Sequence, residues 1–412
     1  MCLLFDITFL AEEITASIPT VTDNVDKSLK CFRAIISNKC QQVNDQGMDI
    51  QSSENVLLLG AGFTKNFGGL LAEEMWAEIF NHEKIQAHPR IRKMMMKDFD
   101  YESVYYSVLE GFKDGESLFP PVGFTHEEKD AITKATKSAY EYIDYILREH
   151  IINHPYPNKL KYVNDLIFQL GSQGYIFMKP SENGIHGTSF IVTKNKSFIF
   201  TLNQDLFFER LYTNCFHAEL SIPGIDNNPE WFTTYYNKPL EESDYCKLPN
   251  EEKLNNEDIL LEGNYLLVKL HGSYNWTSFD GSDIMVIGRG KKEKIQKEPL
   301  LKRYFDIFDY VLSHERHRLF IIGYGFGDKH INEIISKAVT KNELKIYILS
   351  PESPKKLKEK LCEGLEKSED TISIWKGISG YSQCVEDVLI NNDFKNKAKK
   401  EHFHKVFFGE DV

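Results

Sequence analysis

The chain has 412 residues, 42% of them hydrophobic and 27% charged, a composition that supports a packed core and excludes a disordered protein. The net charge of −12 disfavours direct nucleic-acid binding, because phosphate contacts need a basic face. The apolar runs have the length of buried strands and stay far below the roughly 18 residues of a membrane span, so an integral membrane protein is not expected.

Residues 1–54 are predicted to form an N-terminal helical segment, Asp26–Ser37, followed by a polar linker, Gln42–Glu54. The first ten residues carry Asp6 and neither Lys nor Arg, unlike a secretory signal, so we expect a cytoplasmic protein. The seven cysteines are odd in number and lack CxxC spacing. This pattern predicts neither a disulfide framework nor a zinc ribbon, and no bound metal is expected.

The next region begins with the apolar run Asn55–Leu59, which is typical of a buried parallel strand and ends at Gly60. A helix is predicted after it from the spacing of Phe67, Leu71, Met75 and Ile79. Residues 82–175 are predicted to be a mainly helical insertion, interrupted by a loop at 111–123. Its longest apolar stripe consists of Ile132, Ala135, Ala139, Tyr142, Ile143 and Ile146.

The later part of the chain alternates between strands and helices. The predicted strands are Ser197–Thr201, Tyr265–Leu270, Arg318–Ile322 and Lys345–Leu349. Helices are predicted at Leu206–Tyr212, from the N-cap Asp328 onward, and in a closing helix marked by Leu357, Leu361 and Leu365. This alternation predicts an α/β protein with a Rossmann-like, doubly wound parallel sheet over residues 55–352 and a helical extension over 353–412. In such sheets ligands bind beyond the carboxyl ends of the strands.

Polar or glycine-rich segments follow four of the predicted strands. Gly60-Ala61-Gly62-Phe63-Thr64 follows the first strand; it is compatible with close approach to a pyrophosphate and equally with an ordinary tight turn. Asn203 and Asp205 follow the second. The Asn203 amide can both donate and accept, which suits a ribose hydroxyl, whereas Asp205 is either a ligand contact or the N-cap of the next helix.

His271 follows the third strand and is a candidate general base, although a lone histidine is more often structural. Gly323, Gly325 and Gly327 alternate after the fourth strand, where they permit close backbone approach to a ligand or form a flexible loop. Four such strand ends on one sheet are less expected by chance than any one of them.

Together these segments resemble the SIR2 superfamily and, more narrowly, the SIR2-like proteins of bacterial anti-phage defence. The resemblance spans roughly Asn55 to Glu352 and implies a Rossmann-like NAD-binding domain. It implies catalytic roles for Asn203, Asp205 and His271. It further implies nucleotide contacts from Gly60, Ala61, Gly62, Phe63, Thr64, Thr201, Gly323, Tyr324 and Gly325.

Two departures from the protein-deacylating sirtuins are visible. Those enzymes carry a four-cysteine zinc module after the histidine, whereas here no cysteine lies between Cys246 and Cys362. They also have a Pro-Asp-Phe-Arg segment soon after the glycine turn, where this chain reads Lys65-Asn66-Phe67-Gly68-Gly69. Both departures disfavour acyl-lysine chemistry.

The favoured function is therefore hydrolysis of NAD+, the substrate, to ADP-ribose and nicotinamide, without a metal. The resemblance implies a role in abortive infection, with the activity gated by homo-oligomer assembly or by a defence partner such as a HerA-type ATPase. Two alternatives stay open: an NAD-dependent protein deacylase, and a non-catalytic regulator that senses NAD+ or ADP-ribose.

Overall fold

We describe the fold from a computed structural model. It describes residues 54–110, 123–153, 196–212, 220–225, 239–241, 244–256, 259, 265–282, 284–288, 290–364, 367–383 and 405, which all belong to one compact unit, Ser52–Val412. The predicted segment Asp26–Ser37, nearly all of the linker, the loop at 111–122 and the part of the insertion after Asn153 lie outside the described residues.

The centre of the structure is a parallel β-sheet. Its strands, in chain order, are β1 (Asn55–Leu59), β2 (Ser197–Thr201), β3 (Leu220–Ser221), β5 (Tyr265–Lys269), β7 (Arg318–Ile322), β8 (Lys345–Leu349) and β9 (Ile378–Ser382). They lie in the order β3-β5-β2-β1-β7-β8-β9, and every pairing within the described sheet is parallel. A separate two-stranded ribbon pairs β4 (Cys246–Lys247) with β6 (Trp276–Thr277).

The five strands predicted from the sequence are confirmed, except that the strand predicted over Tyr265–Leu270 ends one residue earlier, at Lys269. Every residue of β1, β2 and β5 is buried, as expected where helices cover both faces of a parallel sheet. Two strands of the sheet were not predicted, β3 and β9. β3 has only two residues, and β9 contains Gly380 and no apolar run, so neither carries a strand pattern.

Thirteen helices occur in the described residues. They are α1 (Ala61–Lys65), α2 (Ala72–Asn81), α3 (Glu83–Ala87), α4 (Pro89–Met95), α5 (Tyr101–Glu110), α6 (His126–Asn153), α7 (Phe207–Tyr212), α8 (Glu251–Asn256), α9 (Lys291–Lys297), α10 (Pro299–Leu312), α11 (Lys329–Asn342), α12 (Pro354–Cys362) and α13 (Glu369–Lys376). This arrangement of helices around a parallel sheet is the predicted α/β, Rossmann-like fold.

The helix predicted after the first strand is wrong in its first half. α1 ends at Lys65 and α2 begins only at Ala72, so Phe67 and Leu71 lie in neither. Gly68 causes the break, because its φ of +97° is left-handed and cannot continue a helix. Phe67 is nevertheless buried, against Phe63 and Phe207.

The described part of the insertion is helical, as predicted. Along α6, Ile132, Ala135, Ala139 and Ile143 are buried, but Tyr142 is 43% exposed and the predicted stripe is wrong there. The buried face instead includes Tyr140 and Leu147. A buried ion pair of 2.7 Å between Asp144 and Arg210 ties α6 to α7, the helix that follows β2. The predicted domain boundaries stay predictions.

The extension after residue 352 was predicted to be helical. Its described part contains α12 and α13, but it also contributes β9, which pairs with β8 at the edge of the sheet. In the part of the chain that is described, none of the helices combines the length and the hydropathy that crossing a bilayer requires.

Candidate functional site

The four central strands end at one level along the edge of the sheet. Leu59 pairs with Thr201 on one side and with Ile322 on the other, and Thr201 pairs in turn with Lys269. The order of the strands reverses between β1 and β7, because the chain builds outward from β1 first through β2 and later through β7. Such a reversal is the usual ligand-binding position in open α/β sheets. The predicted site segments therefore meet at this edge.

Gly60, Gly62 and Gly323 are needed because the turns after β1 and β7 pack backbone against backbone. The Gly62 N–H donates to the Gly323 carbonyl at 3.0 Å. A Cβ atom on Gly60 would lie 2.6 Å from that carbonyl oxygen, and one on Gly323 would lie 2.2 Å from the Phe63 nitrogen. Gly323 also has a left-handed φ of +67°. Contact between the turns alone explains these glycines, and their predicted pyrophosphate contact stays a prediction.

Asn203 connects the turn after β2 to the turn after β1. Its Nδ2 donates to the Gly60 carbonyl at 3.1 Å and to Thr64 Oγ1 at 3.4 Å. Its own N–H donates to Thr201 Oγ1 at 3.1 Å, which fixes the backbone at the strand end. These bonds commit the donor end of the amide to the protein, so Oδ1 is the end that a substrate hydroxyl would use.

Asp205 is held in a buried polar cluster. Its carboxylate accepts from the N–H of Phe207, the first residue of α7, at 3.0 Å, although Asp205 lies one residue before the N-cap position, which Leu206 occupies. Burial raises the pKa of Asp205, and the Lys269 ammonium opposes that rise. Lys269, only 1% exposed, donates to the Asp205 carbonyl at 2.6 Å and to Glu209 at 2.7 Å.

The same lysine connects the loops that follow β2 and β5. Lys269 Nζ donates to Ser273 Oγ at 2.8 Å, and Ser273 Oγ donates to the Gln204 carbonyl at 3.3 Å. The Tyr274 N–H reaches the same carbonyl at 3.1 Å. The backbone around Asn203 and Asp205 is therefore fixed relative to the loop that carries His271.

His271 faces a second histidine. Its Nε2 lies 2.9 Å from Nε2 of His330, in the first turn of α11, so one imidazole donates to the other. His271 is 4% exposed, and burial lowers its pKa to about 3, against the opposing effect of Asp328. Burial also lowers the pKa of His330. Both rings are therefore neutral near pH 7.

Asp328 occupies the N-cap position of α11, as predicted, but its side chain makes no capping bond. Its Oδ1 instead accepts from Lys291 Nζ at 2.7 Å, and Lys291 also pairs with Glu102 at 2.8 Å. Burial opposes ionisation of Asp328, but the His271 ring and the Lys291 ammonium outweigh it and lower its pKa to about 2. The tertiary ion pair has displaced the local cap.

The contact between His271 and His330 joins loops that belong to distant strands. β5 and β7 stand three positions apart in the sheet, about 14 Å at the usual strand spacing. The two loops must therefore arch toward each other over the ends of β2 and β1. With the contacts at Gly62, Asn203 and Tyr274, this one hydrogen bond closes a ring of four strand-end loops.

The remaining predicted contact residues differ in exposure. Phe63 is buried with its ring against Phe207 and Phe208, and its N–H donates to the Gly60 carbonyl at 2.9 Å. Thr64 is buried as well. Ala61 and Gly325 are exposed. The Tyr324 hydroxyl donates to Asn332 Oδ1 at 3.0 Å, which anchors the loop after β7 to α11.

An open groove of about 540 Å³ lies beside this site, at the carboxyl end of β8. It is lined by Glu352, Lys356, Glu359, Lys360, Glu363 and Gly364. A Cβ atom on Gly325 would have the end of Lys360, at 3.6 Å, as its nearest neighbour, so the groove and the loop after β7 adjoin. The groove contains none of the predicted catalytic residues.

Part of the chain matches a known protein family. Residues 197–371 match the family of the SIR2-like domain. The match covers less than half of the chain; it includes the loops after β2, β5 and β7 and begins after the loop that carries Gly60 and Gly62. It supports a relationship of this region to the SIR2 superfamily, whose members are NAD-utilising enzymes, and so an NAD-related activity in general. A comparison with curated proteins gave no match.

Three residues of the site were not assigned roles from the sequence: Lys269, Lys291 and His330. Lys269 ends an apolar strand, a position where a buried lysine signals a fixed partner. His330 lies two residues after Asp328 and directly before the buried Ile331, which places it in the first turn of α11 beside the loop. Lys291 carries no signal in its local sequence, because its partners are 37 residues or more away.

Proposed function

We propose that this chain is an NAD+ glycohydrolase that converts NAD+ and water to ADP-ribose, nicotinamide and a proton. The observation that carries the proposal is that the loops bearing Asn203, Asp205 and His271 follow strands that end at the same edge of the sheet, beside its switch point, within a region similar to SIR2-like domains. That position is where an α/β sheet binds a nucleotide, and the three side chains supply the groups that glycosidic cleavage needs.

This reaction does not need a strong acid from the protein. Cleavage of the bond between C1′ of the ribose and the pyridinium nitrogen returns the bonding electrons to nicotinamide, which leaves as a neutral molecule. The ribose passes through an oxocarbenium-like state, and a water oxygen adds to C1′. No acid has to protonate the leaving group. A base must take one proton from the water as its oxygen becomes bonded to carbon.

His271 is the proposed base. Burial lowers its pKa to about 3, which keeps the ring neutral and able to accept a proton, but makes it a weak base. A weak base suffices, because water that is adding to an oxocarbenium ion becomes strongly acidic. The hydrogen bond between His271 and His330 engages the same Nε2 atom, so that bond must open before this nitrogen can serve.

Asn203 is proposed to orient the substrate. Its Nδ2 is held by Gly60 and Thr64, which fixes Oδ1 as the acceptor for a ribose hydroxyl or for the attacking water. Asp205 supports this turn through its contact with Phe207.

In the cell we propose that the activity depletes NAD+ during phage infection, in line with the resemblance to defence proteins of the SIR2-like class. Uncontrolled NAD+ hydrolysis harms its host, so the site needs a gate. We propose that assembly of the chain with itself, or with a defence partner such as a HerA-type ATPase, opens the contact between His271 and His330.

The test is product identity. Purified protein is incubated with NAD+, with and without an acetylated peptide, and nicotinamide, ADP-ribose and O-acetyl-ADP-ribose are separated by chromatography. Equal release of nicotinamide and ADP-ribose without peptide supports hydrolysis. Peptide-dependent O-acetyl-ADP-ribose would establish a deacylase instead. Binding of NAD+ or ADP-ribose with no product, over a range of protein concentrations and with candidate partners, would establish a regulator.

A further inference from the structure

The loops after β5 and β7 bring three potential metal ligands together. One imidazole nitrogen of His271, one of His330 and one carboxylate oxygen of Asp328 all lie within 4.8 Å of one another. Each of the three residues is buried or half-buried. The spacing of cysteines and histidines along the sequence cannot reveal this cluster, because His271 is 59 residues from His330.

We propose that His271, Asp328 and His330 form a binding site for one divalent transition-metal ion of the zinc type. Two imidazole nitrogens and one carboxylate oxygen are common zinc ligands, and three protein ligands leave a fourth position open. Tetrahedral zinc with bonds of about 2.0–2.1 Å holds two ligand nitrogens about 3.3 Å apart. The present Nε2–Nε2 separation is 2.9 Å, so a small outward movement of the rings suffices.

The surroundings suit a cation. Lys291 Nζ holds Oδ1 of Asp328 at 2.7 Å, the type of outer contact that orients a ligating carboxylate. Lys291 also pairs with Glu102, so one ammonium lies between two carboxylates and the group keeps a net negative charge. Because the two Nε2 atoms now share a hydrogen bond, the ring that donates would have to carry its proton on Nδ1 for both Nε2 atoms to bind the ion.

An ion at this site would act as an inhibitory clamp. It would occupy the lone pair of His271 and would hold together the loops after β5 and β7, which are separated by β2 and β1 in the sheet. This consequence rests on the proposed function, whereas the binding itself does not. Chelation is then expected to preserve or raise NAD+ cleavage and never to abolish it.

Metal binding is measured directly by equilibrium dialysis of the full chain against Zn²⁺, with bound zinc read by elemental analysis. The variants are His330→Gln, which keeps a hydrogen-bonding group beside His271, and Asp328→Asn, which keeps the shape of the carboxylate. His314→Gln is the matched control, because His314 is half-buried, lies outside the proposed site, and places its Nδ1 2.9 Å from the Tyr310 carbonyl at the end of α10.

We expect wild type and His314→Gln to bind one tight zinc ion per chain. Both site variants should bind zinc at least about 100-fold more weakly, because they lose a direct ligand, and loss of a residue that only contacts a ligand already costs up to that factor. Equal zinc binding by all four folded proteins, or no tight zinc in wild type, would overturn the site. Co²⁺ spectra of wild type add a check that needs no variant, because thiolate charge-transfer bands would show that cysteines bind the ion instead.

The inhibitory consequence has its own measurement. Nicotinamide release by wild type should fall as zinc occupancy rises and should recover on chelation, whereas His330→Gln should show no response at the same zinc concentration. Full occupancy with unchanged turnover would overturn the clamp and leave the binding site standing. A chain that binds zinc but cleaves no NAD+ under any condition would count against the proposed function and not against the site.

Discussion

Replacing Lys269 with methionine should lower the free energy of unfolding, because it breaks the buried ion pair between Lys269 and Glu209. Lys269 is 1% exposed, and its Nζ donates to Glu209, to Ser273 Oγ and to the Asp205 carbonyl. Methionine keeps most of the volume and removes all three bonds. The Glu209 carboxylate, with a side chain 5% exposed, would then be buried without its cation.

Breaking a buried pair in this way costs about 3–5 kcal/mol, because the remaining charge is uncompensated. We expect that loss in the free energy of unfolding, measured by urea denaturation. The double variant Lys269→Met/Glu209→Gln should recover part of it, since no charge is left unpaired. Lys337→Met is the control: its ammonium pairs with Asp309 at 2.6 Å, but the side chains are 46% and 39% exposed, so the expected cost is below about 1 kcal/mol. Similar losses in Lys269→Met and Lys337→Met would refute the reasoning from burial.

Three further predictions concern the turns, the pH dependence and the gate. Gly323→Ala should lower the free energy of unfolding by at least about 1–2 kcal/mol, because alanine is strained at a φ of +67° and its Cβ would meet the Phe63 nitrogen. Gly327→Ala is the control and should be near neutral, since its Cβ would meet nothing within 4 Å. Equal effects of the two substitutions in urea denaturation would contradict this prediction. Burial lowers the pKa of His317, so below about pH 6.5 the unfolded chain takes up a proton there that the folded chain resists. The free energy of unfolding should therefore fall between about pH 7.5 and about pH 5.5, and it should fall more in wild type than in His317→Gln. An equal fall in both would remove His317 as a cause. Specific activity on NAD+ should rise with protein concentration or with a partner, and a dilute monomer at full activity would exclude gating by assembly.

The sheet was predictable from the sequence because its central strands are buried on both faces. Runs such as Leu319–Ile322 are apolar throughout, and glycine or proline follows them at the end of the strand or soon after it. β9 lacked that signal, since an edge strand with Gly380 needs no apolar run. The interruption between α1 and α2 was missed because the helical spacing of Phe67 and Leu71 continues across a turn that the left-handed Gly68 introduces.

The site was predictable only in its strand-end positions. Asn203, Asp205 and His271 could be picked out because each follows a strand directly, where the topology fixes its position. The partners of these residues could not. Lys291 reaches Asp328 from a different helix, and this ion pair replaces the cap that the local sequence favoured. Long-range pairs of this kind depend on how loops pack, which local patterns do not encode.

The measurement that tests the central claim most directly is nicotinamide release from NAD+ by four proteins at equal concentration, across a wide range of concentrations: wild type, Asn203→Ala, His271→Ala and the control His314→Ala. Loss of a general base typically slows a reaction by about 10²–10⁴-fold. We predict that wild type and His314→Ala release nicotinamide and ADP-ribose in equal amounts, and that folded His271→Ala and Asn203→Ala lose at least about 100-fold. Wild-type turnover in both folded site variants would contradict the assignment of this site.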